Sequence, residues 1–192
     1  MANIHSYFLD SDVISNLLMM KVRSDINVNL INPREKFHLL TTQFVIEEVQ
    51  TIVNKIEKTK EVNGNAVSDA DIAKIKMTWK DIQDILIIKE IKDDRPLLLK
   101  NRGERSIVNA VNQYKKDCRI VSNNKADVKK YLKEKDLPEN IYQSPFEFFE
   151  EMEKFWFDNY KDVVRFMILS NHDFRILSKE NLGNILTRMC TR

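Results

Sequence analysis

Apolar residues run from Ile4 to Leu9 and stop at Asp10, after which Val13, Ile14, Leu17 and Leu18 recur at helical spacing. A continuous run that gives way to a 3.6-residue period predicts a strand feeding a helix. Pro33 interrupts the chain, and Phe37-His38-Leu39-Leu40 predicts a second strand. Thr41 or Thr42 can cap the next helix, which carries Val45, Val49, Ile52 and Ile56 on one face with Glu48 beside that stripe. Asn63-Gly64-Asn65 reads as a turn, and Ser68 followed by Asp71 as the polar start of a helix through about Ile82. Ile85 to Ile91 fits either the last turns of that helix or a strand.

Asp93-Asp94-Arg95-Pro96 punctuates the chain, and Gly103-Glu104 opens a helix holding Ile107, Val108, Ala110 and Val111. Arg119-Ile120-Val121 predicts a short strand, Asp127 to Lys135 a basic surface helix, and Asn140-Ile141-Tyr142 a brief extended segment. Pro145 suits the first turn of a helix through about Phe157. Strands alternating with helices predict an α/β fold, three layers deep, with a parallel central sheet and right-handed crossovers. Residues 155–192 begin with Phe155, Trp156, Phe157, Tyr160, Val163 and Val164, too apolar for a free tail. They predict extra helices packed on the domain and joined at Asn171-His172-Asp173, with dimerisation through part of them as a second use.

At 192 residues the chain can bury one sizeable core. Its 31 basic and 29 acidic residues leave a formal charge of +2, too balanced to imply nucleic-acid binding by itself. Cys118 and Cys190 have no paired spacing that suggests a disulfide framework or a zinc ribbon. No run approaches the roughly 20 apolar residues of a membrane span, so a cytoplasmic protein without a membrane association is expected. His5, His38 and His172 have no ligand spacing, and phosphate-cradling loops and serine-hydrolase elbows are missing from the sequence.

The chemistry lies in four acidic or amide clusters: Asp10 with Asp12, Glu47-Glu48, Gly103-Glu104, and Ser122-Asn123-Asn124 with Asp127. Taken singly, each is a helix cap or a solvated charge. Together they fall where apolar runs end or helices begin, the edge at which an open α/β sheet gathers its functional groups. Carboxylates brought together there would hold a hard cation such as Mg²⁺ or Mn²⁺. Arg102 and Arg105 flank Glu104, and Lys125 and Lys129 follow Asn124, so these four are candidates for holding phosphates of a single-stranded RNA.

From roughly residue 4 to 154 the chain resembles the PIN-domain family of metal-dependent ribonucleases. Asp10-Ser11-Asp12-Val13-Ile14 resembles the family's strand-ending aspartate followed by aliphatics. Glu48 before Val49 resembles its second acid, and Gly103-Glu104-Arg105-Ser106-Ile107 its third. The fourth element is a strand, then Thr or Ser, a variable residue and an aspartate. Ser122-Asn123-Asn124 puts Asn124 at that acid, where it offers a neutral oxygen or binds a water, while Asp127 can restore the charge. Tyr142-Gln143-Ser144-Pro145 resembles the closing strand-to-helix segment. The resemblance implies a nuclease domain over 1–154 with a helical extension over 155–192. It implies Mg²⁺ or Mn²⁺ held by Asp10, Glu48, Glu104 and Asp127, with Asn124 joining them in the catalytic group. It also implies phosphodiester hydrolysis by activated water, and for a toxin-like member an antitoxin partner. The rival expectation is a non-catalytic RNA- or protein-binding module that lost the fourth acid.

Overall fold

The computed structural model describes residues 5–23, 29–30, 37–62, 65–91, 102–114 and 117–170 of the chain. Ile4, Pro33, the Asn63-Gly64 pair, Asp93-Asp94-Arg95-Pro96, Asn171-His172-Asp173 and Cys190 lie outside the described residues.

Strand β1 (His5–Leu9) is buried from Ser6 onward, as a strand covered on both faces must be, and runs through Asp10 into α1 (Ser11–Arg23). β2 (Phe37–Thr42) ends at Thr42, whose hydroxyl accepts from Val45 N and caps α2 (Gln43–Thr59). Next come a small antiparallel hairpin, β3 (Glu61–Val62) with β4 (Asn65–Ala66), and α3 (Asp69–Ile85), capped by Ser68. β5 (Ile87–Lys89), α4 (Arg102–Tyr114), β6 (Cys118–Val121) and α5 (Lys125–Glu134) follow. A 3₁₀ turn at Glu139–Ile141 leads to β7 (Tyr142–Gln143), then α6 (Pro145–Glu151), α7 (Glu153–Trp156) and α8 (Tyr160–Ser170).

Five strands pair in parallel in the order β5-β2-β1-β6-β7. The chain steps outward from β1 through β2 to β5, then returns to the other side of β1 with β6. The strand order therefore reverses between β1 and β6. Side chains alternate across the sheet, so Ser6, Phe8, His38 and Leu40 face Tyr114 of α4 across a cavity of about 140 Å³. On the opposite face Tyr7 packs against Phe148 of α6, with ring centroids 5.3 Å apart, and α1 packs on α3 and α8. Helices on both faces of a parallel sheet make an α/β arrangement consistent with three layers.

Several boundaries differ from the sequence expectations. Ile46 and Val53 join Val45, Val49 and Ile56 on the buried stripe of α2, which turns Ile52 to the margin at 37 % exposure. The segment after Ile82 divides in two: α3 continues to Ile85, and β5 occupies Ile87–Lys89. α5 starts at Lys125, two residues before the expected Asp127, because Asn124 caps it. Residues Asn140 and Ile141 belong to a 3₁₀ turn, and the paired strand is Tyr142–Gln143. The helix expected from Pro145 to about Phe157 is broken at Met152, although a capping box of Ser144 and Glu147 starts it as Pro145 suggests.

Trp156, Phe157 and Val163 belong to the main core, and Trp156 is wholly buried, edge-on to Phe148 at 5.7 Å. Tyr160 and Val164 are buried as well. Among the described residues of the extension, the apolar side chains Trp156, Phe157, Tyr160, Val163 and Val164 are thus buried within the chain. No helix among the described residues is long and apolar enough to cross a membrane.

Candidate acidic site at the sheet edge

Asp10 ends β1 at the point where the strand order reverses, and it is 2 % exposed. Its amide continues the sheet by donating to Val121 O at 3.1 Å. Its Oδ1 accepts from Ser11 N at 2.8 Å, and the hydroxyl of the wholly buried Ser122, just past β6, also bonds the carboxylate. Glu48 arrives from α2, with Oε1 accepting from Gly103 N at 3.2 Å, a donor left free by the start of α4. Gly103 sits between these two acids. A Cβ there would lie 2.7 Å from Glu48 Oε2 and 3.1 Å from Asp10 Oδ1, so only a residue without a side chain admits this approach. Ser106 fixes the geometry from below: its hydroxyl donates to Gly103 O at 2.6 Å and lies 2.6 Å from the Thr42 hydroxyl, tying the start of α4 to the start of α2.

Glu104 follows Gly103 and meets the β6–α5 loop through Asn124. The Asn124 amide nitrogen donates to Glu104 Oε1 at 2.9 Å and to Asp127 Oδ2 at 2.6 Å, while its oxygen accepts from Asp127 N at 3.4 Å and caps α5. Both amide protons therefore go to carboxylates. Between the two acids the donating end of the amide is inward, and its oxygen turns to the helix rather than to either carboxylate. The structure thus brings Asp10, Glu48, Glu104, Asn124 and Asp127 to one edge of the sheet.

It adds Asp12, which the sequence placed in the first acidic cluster but outside the expected ligand set. Asp12 Oδ2 accepts from Asn123 N at 2.8 Å, and its Oδ1 is sealed from solvent without a hydrogen-bond partner. The available signal was its place two residues beyond Asp10, which keeps it on the same turn of chain at the head of α1.

Burial pushes Asp10 well above the usual carboxylate range, with the charges of Asp12 and Glu104 adding to the effect. Burial also pushes Asp12 up to about 6, against the opposing pull of the Asn123 N–H. The N-termini of α1, α4 and α5 converge on the same edge, and their partial positive charges favour anions there. Among the described residues no three acidic, His or Cys groups form a ready-made metal cage. The carboxylates are held on separate donors: Asp10 on Ser11 and Ser122, Glu48 on Gly103, Glu104 on Asn124. The donor set nonetheless fits a hard divalent cation: it is all oxygen and rich in negative charge, one carboxylate oxygen is buried without a partner, and Gly103 leaves space between two others.

Glu47 points elsewhere, pairing with Arg102 at 3.7 Å on the exposed side of α2. The four candidate phosphate holders all have partners within the chain. Arg102 stacks over Phe44 at 4.0 Å, Arg105 over Tyr131 at 4.7 Å while 3.7 Å from Glu134, Lys125 lies over Tyr142 at 5.9 Å, and Lys129 pairs with Glu139 at 2.6 Å. Exposed pairs of this kind contribute at most about 1 kcal/mol, so exchanging one for a phosphate costs little. Compared with known proteins, the chain matches no family model, and no curated protein matches it.

Proposed function

We propose that the protein is a PIN-like endoribonuclease that hydrolyses phosphodiester bonds of single-stranded RNA with Mg²⁺ or Mn²⁺. The observation that supports this is the meeting of Asp10 and Glu48 around Gly103, with Glu104 beside them close enough for its charge to act on Asp10, at the edge where the strand order reverses. Asp10, Glu48 and Glu104 would hold the cation, with Asp127 beside them. A bound divalent cation there supplies an activated water and offsets negative charge on the phosphate oxygens. Asn124 keeps Glu104 and Asp127 together, and the helix N-termini moderate the repulsion among the acids. Arg102 and Lys125, each lying over an aromatic ring, are placed to hold the RNA backbone. A toxin role with an antitoxin partner belongs to the same proposal, tested by growth arrest on expression and its relief by a neighbouring gene product.

A second reading, a non-catalytic RNA- or protein-binding module, is favoured by the amide at position 124. One assay separates the two. Nuclease-free protein incubated with varied single-stranded RNAs and Mn²⁺ should produce internal cuts that chelation prevents and that Asp10→Asn and Glu104→Gln abolish while folding persists. Intact RNA throughout, with RNA retained by the protein, makes the binding module the correct reading.

A further inference from the structure

Asp12 has no role in the four-element pattern, yet one of its carboxylate oxygens is buried without a partner. One carboxylate oxygen is bound by Asn123 N at 2.8 Å; the other is sealed from solvent with no donor. A buried charged oxygen without a partner costs more than any hydrogen bond nearby returns, unless something positive meets it. The Val13 N–H of its own helix and the Asn123 side chain also act on the Asp12 carboxylate, but neither partners the sealed oxygen, and Ser15, one turn on, has a buried hydroxyl that is itself unpartnered. Gln143, at the end of β7 on the α1 side of the sheet, is 2 % exposed with both polar side-chain atoms unpartnered.

The tie to Asn123 decides where the charge sits. That residue directly precedes Asn124, the position at which the resemblance expects an aspartate, so the Asp12 carboxylate is fastened to the very loop that lacks its acid. Asn124 cannot act as that acid, since its amide nitrogen already bridges Glu104 and Asp127. We propose that Asp12 supplies the fourth carboxylate of the cation site, delivered from the head of α1 across to the β6–α5 loop, and that Asn124 is the neutral clamp that leaves room for it. This inference rests on the proposed cation site and assigns to that site a residue outside the expected set.

Mn²⁺ titration by calorimetry, with thermal melts of the same samples with and without Mn²⁺, tests it on wild type, Asp12→Asn and Asp10→Asn. Asparagine at position 12 can still accept from Asn123 N, so the loop tie survives and only the charge is lost. Asp12→Asn should weaken Mn²⁺ binding roughly tenfold and shrink the Mn²⁺-induced rise in Tm, because ligand charge governs affinity for hard cations. Should it fold poorly, Asp12→Glu keeps the charge and should bind Mn²⁺ more tightly than Asp12→Ser measured beside it. Wild-type affinity in Asp12→Asn, with Asp10→Asn impaired, overturns the role of Asp12 alone and leaves it a buried structural group. Absence of Mn²⁺ binding by wild type overturns both the cation site and this inference.

Discussion

Replacing Gly103 with alanine places a methyl group where two acids meet. The new Cβ would sit 2.7 Å from Glu48 Oε2 and 3.1 Å from Asp10 Oδ1. Ordinary carbon–oxygen contacts begin near 3.4 Å, so Glu48 has to retreat by about 0.7 Å or swing away. Asp10 is short and fixed by Ser11 and Ser122, and Glu48 is the longer side chain, so Glu48 moves. Its hydrogen bond from Gly103 N, 3.2 Å long, is then lost; such bonds to a charged acceptor contribute about 1.5–3 kcal/mol. Alanine in a helix gains about 0.5–1 kcal/mol over glycine. The net loss without metal is about 0.5–2.5 kcal/mol, or a fall of a few degrees in Tm. Mn²⁺ affinity and RNA cleavage should each fall by about tenfold or more, since a ligand is displaced without loss of the fold. Calorimetric titration and initial cleavage rates measure both. Wild-type affinity and rate in Gly103→Ala would falsify the cradle, because the methyl group cannot share that space with the acids as placed.

Asn124→Asp should keep the cap of α5, for which Asn and Asp are equally suited, but lose both bonds to Glu104 and Asp127 and set a third carboxylate against them. A loss of about 1–3 kcal/mol at pH 7 without metal is expected in denaturant titrations, with little or no gain in Mn²⁺ affinity; a tenfold tighter site contradicts the clamp. Folded Asp12 keeps its proton up to about 6, whereas the unfolded chain releases it near 3.8, so the folded state binds more protons between these values and the contribution of Asp12 to stability declines as pH rises through them. Melts of the metal-free protein from pH 4 to 7.5 should therefore fall less steeply for Asp12→Asn than for wild type, by up to about 3 kcal/mol across the window; parallel curves contradict the buried carboxylate. Glu48→Gln should abolish cleavage, and Glu47→Gln should leave it within about twofold, since an exposed pair at 3.7 Å contributes little; equal losses in both variants contradict the placement of Glu48 alone.

The fold was legible because its strands are apolar on both faces and its helices start with strong caps. Phe37, Thr42, Ser68 and Pro145 all mark boundaries that the structure keeps, although β2 runs two residues past Leu40. Legibility fails where one residue alters a period. Met152 breaks a helix that the pattern carries through, and Ile52 leaves a stripe because Ile46 and Val53 draw the buried face round. For the acidic site, the order of Asp10, Glu48 and Glu104 along the chain was enough to expect their meeting. The direction of the Asn124 amide was not legible, since it depends on two carboxylates brought from other segments. The tie of Asp12 to the β6–α5 loop was illegible for a related reason: a carboxylate at a helix head is usually a cap, and its bond to Asn123 spans 111 residues.

Whether three distant segments build one cation site is tested most directly by anomalous diffraction from crystals soaked in Mn²⁺. The expected result is a single strong peak within about 2–2.5 Å of carboxylate oxygens of Asp10 and of Glu48 or Glu104, beside Gly103. Saturating Mn²⁺ with no peak at this edge, or with a peak bound only by exposed acids elsewhere, contradicts the cation site and the hydrolytic chemistry built on it.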